Sequence, residues 1–102
     1  MHEVIERKRA EIEALCRQFR IRRLDLFGSA LGAAFNPNAS DVDVLVEFDT
    51  RGDFDYYGTY FGLKEGLEQI LGRPVDVVSA TSIHNPYFRD HVMRTRETLY
   101  AT

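Results

Sequence analysis

Hydrophobic residues along this chain fall into runs with two periods. Over residues 3–19, Val4, Ile5, Ile12, Leu15, Cys16 and Phe19 recur at helical spacing. The pattern predicts a helix that covers one face of a sheet, followed by a short link over residues 21–23. A compact apolar run at residues 24–27 then reads as a first strand. A second run, Val44-Leu45-Val46, sits within residues 41–48, read as strand two. Residues 54–71 carry Tyr57, Tyr60, Leu63, Leu67, Ile70 and Leu71 as an apolar stripe. Gly72 reads as the C-cap of that helix, and Pro74 confirms the stop. Residues 75–79 form strand three. Asn85 followed by Pro86 is a helix start, predicting a last helix over residues 86–99. A domain over residues 1–102 is expected, of α/β (α+β) class: a small mixed sheet of three or more strands with helices on one face.

Polar residues interrupt the strands at places that matter. The first strand ends in Gly28-Ser29, where Ala30 to Ala34 suit a short helix of small residues. The turn 36–40 (Asn-Pro-Asn-Ala-Ser) then leads to Asp41 and Asp43. Residues i and i+2 of a strand face one side, so these two carboxylates converge while Val42 and Val44 face a core. Carboxylates so close repel unless a cation lies between them. Mg²⁺, which takes oxygen ligands and keeps substrate phosphates in its sphere, suits the pair. Gly28 has no Cβ, so a triphosphate could approach the backbone there. Ser29, at a helix start, would offer N–H and hydroxyl to phosphate. Asp76 lies inside the apolar run 73–78 and is costly there unless paired or metal-bound. Three carboxylates would suit two metal ions about 3.5–4 Å apart, clamping an in-line phosphoryl displacement.

Gly-Ser, a loop, Asp-x-Asp before Leu-Val-Glu-Phe, and a later Val-Asp together resemble the nucleotidyltransferase superfamily with the DNA polymerase β-like palm. Length and tail point to its minimal branch, the MNT-domain proteins often paired with HEPN-domain toxins. The likeness spans nearly the whole chain, including YFGLKEGLEQILGRPVDVV and NPYFRDHVMRTRETLYA. It departs where many relatives carry a basic residue soon after Gly-Ser. The resemblance implies a Mg-dependent transfer of AMP from ATP to a tyrosine hydroxyl of a cognate HEPN toxin, which the modification would silence. Asp41, Asp43 and Asp76 would be the catalytic and metal residues, with Gly28 and Ser29 binding nucleotide. Two further readings stand beside this one. The chain could neutralise its partner by contact alone, or adenylylate a small molecule such as an antibiotic, for which a partner subunit would have to complete the acceptor site. A blander alternative has Asp41 merely capping a loop, but leaves Asp43, Asp76 and Gly-Ser unexplained.

The remaining residues refine this picture. At 102 residues, 44% hydrophobic and 28% charged, the composition is that of a soluble globular protein. No apolar run approaches membrane-spanning length, so a cytoplasmic location without membrane contact is expected. The lone Cys16 excludes an internal disulfide and reads as a small core residue. Net charge is −3, yet Arg7, Lys8, Arg9, Arg17, Arg20, Arg22 and Arg23, seven of thirteen basic residues, lie in the first 23. A solvated helix face is the plain reading, with Glu3, Glu6, Glu11 and Glu13 interleaved. Direct nucleic-acid binding is not expected, because only Phe19 offers an aromatic for stacking there. A partner's acidic surface or a nucleotide phosphate could use the same arginines. Asp25 is assigned a structural or solvent-facing role, and His84 and His91 a surface or capping one. Gly58, Gly62 and Gly66 would permit close helix packing. The exposed face of helix 54–71, with Tyr57 and Tyr60, is the expected partner surface, and homo- or hetero-oligomers are left open.

Overall fold

The computed structural model describes residues 3–28 and 42–102. Four strands form one sheet in the order β3-β2-β1-β4, where β1 is Ile21–Phe27, β2 Val42–Phe48, β3 Val75–Ser79 and β4 Glu97–Ala101. β1 pairs antiparallel with both β2 and β4, while β2 and β3 run parallel. Helices α1 (Glu3–Arg7), α2 (Arg9–Gln18) and α3 (Tyr56–Leu71) cover one face, as the apolar periodicity requires. Ile5, Ile12 and Cys16 meet Leu63, Leu67 and Leu71 over Leu24, Leu26, Val42, Val44, Val46, Val75, Val77 and Leu99. Burial pushes the Cys16 thiol up to about 12, with Glu13 adding to the rise, so it stays a neutral core group.

The other face is not bare. Helix α4 (Pro86–Thr95) sets Val92 against Phe27, Leu45 and Ile83, a second small core. Alternation along β2, and along β1 from Leu24 onward, therefore separates two environments: even positions enter the main core, and odd positions face the other side of the sheet.

Local signals in the sequence appear where expected. Asp55 caps α3 through its carboxylate, which accepts from the Gly58 N–H at 3.1 Å. Gly72 closes that helix with φ 67°. Asn85 Oδ1 accepts from the N–H groups of Tyr87 and Phe88 at 2.9 and 3.1 Å, and Pro86 begins α4. Gly62 and Gly66 let α3 close on α2: a Cβ would lie 2.5 Å from the Phe19 ring and 2.7 Å from Leu15. Their role is packing within the chain.

Five expectations change. The first helix is interrupted at Lys8, between α1 and α2. The first strand begins at Ile21 and not at residue 24, because Ile21 and Arg23 already pair with Phe48 and Glu47. The last helix ends at Thr95, and the tail assigned to it forms β4 instead. Thr98 holds that strand in place: its carbonyl accepts from Arg9 Nη2 at 2.8 Å and its hydroxyl from Arg23 Nη2 at 2.9 Å. Tyr60 is not a surface residue, since it packs on the core and donates to the Val77 carbonyl at 3.2 Å. Tyr57, counted in the apolar stripe, is 73% exposed. Among the described residues no helix is long and apolar enough to cross a membrane.

Candidate active site

The site lies at one end of the sheet, on the face that carries α4. Phe27, Asp43 and Asp76 occupy one row across β1, β2 and β3: Asp43 pairs with Phe27 on one side and with Asp76 on the other. Directly paired residues of parallel strands project to the same face, about 5 Å apart. The alternation that buries Val42, Val44 and Val46 thus turns Asp43 away from the main core, and Val75 and Val77 do the same for Asp76. Asp43 is half-buried and Asp76 exposed, so Asp76 does not bear the burial cost expected of an acid in an apolar run.

Gly28 follows Phe27 and completes the row. Its φ is +71°, a region that L side chains rarely adopt. A Cβ here would lie 2.6 Å from Asp43 Oδ2, so the carboxylate occupies the space a side chain would need. Glycine is required twice over, by the turn and by the acid beside it.

Above the row is a cavity of about 470 Å³ lined by Gly28, Asp43 and Asp76 from the strands and by Phe88, His91 and Thr95 from α4. That is ample room for a small-molecule ligand. The α4 residues were not anticipated as a wall of the site, although their spacing of three to four was a legible signal that they share a helix face. Phe88 meets Phe27 edge to face at 6.3 Å between centroids. His91 is exposed at the rim, as a surface histidine should be, yet it faces the same cavity as the acids. His84 is exposed elsewhere.

Of the predicted site residues, Gly28, Asp43 and Asp76 come together here. Asp41 and Ser29 lie outside the described residues, as do the short helix expected after Ser29 and the turn preceding Asp41. Among the described residues no group of three or more His, Cys, Asp or Glu gathers tightly enough to hold a metal. The donor set that is described still suits a hard cation. Two carboxylates share a row on one face, with a neighbouring position cleared of side chain, and they repel without a positive charge between them.

Asp25 shows what a carboxylate on the same face becomes when it is structural. It is 1% exposed and enclosed by arginines: Arg23 Nε lies 3.0 Å from both its oxygens, and Arg96 Nη1 3.3 Å from Oδ2. The structural assignment made from its position holds, and the solvent-facing one does not.

Comparison with known proteins places the fold. The sequence profile of the nucleotidyltransferase domain matches residues 9–99, so the chain belongs to the nucleotidyltransferase-domain family, a class of transferases. Among its relatives is MJ1379 of Methanocaldococcus jannaschii, named as a candidate protein adenylyltransferase. It is 34% identical over 92 residues, which make up 90% of each chain. A second protein of that organism with the same kind of name, MJ0435, is 36% identical over 72% of this chain and 73% of its own. A solved minimal nucleotidyltransferase superposes with a TM-score of 0.75 at 29% identity, covering 93% of this chain and 92% of that one. The fold also matches a toxin-antitoxin structure with AMP-PNP, at TM-score 0.68 and 24% identity over 92% of this chain and 73% of that one. At that identity the likeness speaks for the fold alone.

Proposed function

We propose that this protein transfers AMP from ATP to a hydroxyl of a partner protein, and that the partner is a HEPN-type toxin which the modification silences. The observation that carries the reading is the row of Gly28, Asp43 and Asp76 lining one cavity. Adenylyltransferase names among the relatives support the reaction class. One structural neighbour belongs to a complex of a tri-AMPylated Shewanella oneidensis HEPN toxin with MNT antitoxin. It matches in fold, at TM-score 0.64 and 21% identity over 95% of this chain and 72% of that one, and the complex it comes from suggests the partner class.

The residues divide the work as follows. Gly28, whose missing Cβ leaves room for the Asp43 carboxylate, is the proposed backbone contact of the triphosphate, and Ser29, the following residue, is the proposed phosphate donor. Asp43 and Asp76, with Asp41, are the proposed holders of Mg²⁺, which when bound would neutralise the carboxylates and phosphates. The acceptor oxygen attacks the α-phosphorus, the α–β bridging bond breaks, and pyrophosphate leaves. Asp76, on the outer strand of the row, is the proposed acceptor of the proton from the incoming hydroxyl. The α4 wall of Phe88, His91 and Thr95 bounds the space in which nucleotide and acceptor must meet, which supplies positioning. The exposed aromatics Tyr56, Tyr57 and Phe61 on α3 form the proposed partner face.

The deciding measurement is the intact mass of the partner after incubation with this protein, ATP and Mg²⁺, beside an Asp41→Asn/Asp43→Asn variant. Gain of AMP with the unmutated protein alone is the expected result. An unmodified partner held in a stable complex by both versions would overturn transfer and leave neutralisation by contact.

A further inference from the structure

The far end of the sheet carries a second concave site of opposite charge. Arg17, Arg20, Arg22 and Arg51 line a cavity of about 400 Å³, together with Asp49, Tyr100 and Thr102. We infer that this cleft is a binding site for a small phosphate-bearing anion, separate from the candidate active site.

The argument begins with the basic N-terminal segment. Four of its seven cations are already engaged by carboxylates of the chain. Arg7 pairs with Glu3, Lys8 with Glu11, Arg9 with Glu6 and Glu13, and Arg23 with Asp25. The other three are the ones the fold delivers to the cleft. Arg17 and Arg22 form no ion pair among the described residues, and Arg20 reaches Asp49 only at 4.0 Å. A protein of net charge −3 thus gathers the three arginines of its N-terminal segment that the helix acids leave over at one concave place.

Backbone geometry points the same way. Arg20 is the only non-glycine residue with positive φ among the described residues, at 57°. It sits just past the C-cap of α2, where a left-handed residue ends the helix and glycine is the ordinary choice. The chain tolerates that conformation and keeps a guanidinium at the cleft. Residues held in sparsely populated regions concentrate at ligand sites.

Asp49 supplies an internal stand-in for the ligand. Arg51 grips it with two parallel bonds of 2.9 Å, the fork geometry that guanidinium groups also offer to phosphate. That hydrogen bonding holds the Asp49 carboxyl well below the usual carboxylate range. Arg51 is itself 85% exposed, so the pair is weak and its guanidinium can exchange Asp49 for an incoming anion. The cleft is bounded and compact. An extended basic stripe, the footprint of nucleic acid, is absent from the described residues because the helix cations are internally paired.

The test is an amide-resolved NMR titration of the full chain with inorganic pyrophosphate, without Mg²⁺. Arms with ATP, acetate and a short single-stranded RNA run in parallel. Saturable shifts at Arg17, Arg22, Arg51 and Thr102 are expected with pyrophosphate and with ATP. Added shifts at Tyr100 with ATP would mark a nucleotide as the ligand, and equal responses would mark the phosphates alone. Arg17→Gln/Arg22→Gln should weaken binding about tenfold or more. Asp49→Asn should tighten it by removing the competing charge. Absence of saturable shifts, an unchanged response in the double variant, or an equal response to acetate would overturn the proposal. Tighter binding of RNA, with shifts spreading beyond the cleft, would overturn it in favour of a nucleic-acid surface. No outcome depends on whether AMP transfer occurs.

Discussion

The two ends of the same sheet are built from the same strands and carry opposite charge. At one end Asp43 and Asp76 lie side by side where β2 and β3 begin and β1 ends in Gly28. At the other, about 20 Å away by strand length, β1 begins among Arg17, Arg20 and Arg22 as β2 gives way to Asp49 and Arg51. Strand alternation builds the acidic end: Val42, Val44 and Val46 of β2 and Val75 and Val77 of β3 are buried, which turns Asp43 and Asp76 to the opposite face. Chain termini and turns build the basic end, where no periodicity operates. The acidic row is therefore rigidly placed by packing on its reverse side. The arginines are held by a helix end, a left-handed turn and one exposed ion pair.

Asp25 sharpens the contrast. It shares a sheet face with Asp43 and Asp76 but is closed in by Arg23 and Arg96, so its charge serves stability. The acids at the strand ends face a cavity instead.

Variants can break this comparison, and the largest effect should come from the acidic row. Asp76→Asn is expected to lower AMP transfer on the order of a thousandfold, as loss of a charge-stabilising group does. It should leave Tm unchanged or raised, since repulsion from Asp43 is relieved. A fall in Tm matching the loss of activity would make Asp76 a structural residue. Gly28→Ala comes next: the positive φ costs about 1 kcal/mol, and displacement of the Asp43 carboxylate should cost about a hundredfold in turnover. Chemical denaturation beside a transfer assay separates the two effects.

Asp25→Ala reverses the pattern. Removing the shared partner of Arg23 and Arg96 should cost about 2 kcal/mol. That is less than the 3–5 typical of fully buried pairs, because both arginines keep some solvent contact. Transfer by the folded fraction should be little changed.

The smallest expected effect concerns pH. The Val75 N–H, 3.0 Å from Glu68 Oε2, and then Lys64 hold the Glu68 carboxyl below its ordinary value of 4.5. The folded state therefore binds this proton less readily than the unfolded chain. The resulting stability is present above about pH 4.5 and drains away as pH falls through the depressed value. Glu68→Gln should lower stability slightly at neutral pH and flatten the acid side of the Tm–pH curve. An unaltered acid limb would show that this carboxylate does not tie α3 to β3.

Much of this architecture could be read along the chain, for reasons that operate over a few residues. Caps and stops depend on neighbouring backbone groups, so Asn85-Pro86, Gly72 and the bounds of β3 were legible without the fold. The i, i+2 geometry of a strand makes Asp43 point away from Val42 and Val44 wherever the strand lies, and the acidic candidates followed from that. What only tertiary structure decided depends on pairing between distant segments. The tail 97–101 became a strand because β1 offered an open edge and Arg9 and Arg23 reach Thr98. Alternation in five residues is too short a signal to announce that against a preceding helix. Asp25 became structural because Arg96 arrives from 71 positions away. Phe88, His91 and Thr95 became a wall of the site because α4 crosses the sheet at the acidic end. The arginine cleft exists because a helix terminus, two strand ends and a loop meet in space, and a linear sequence holds no record of that meeting.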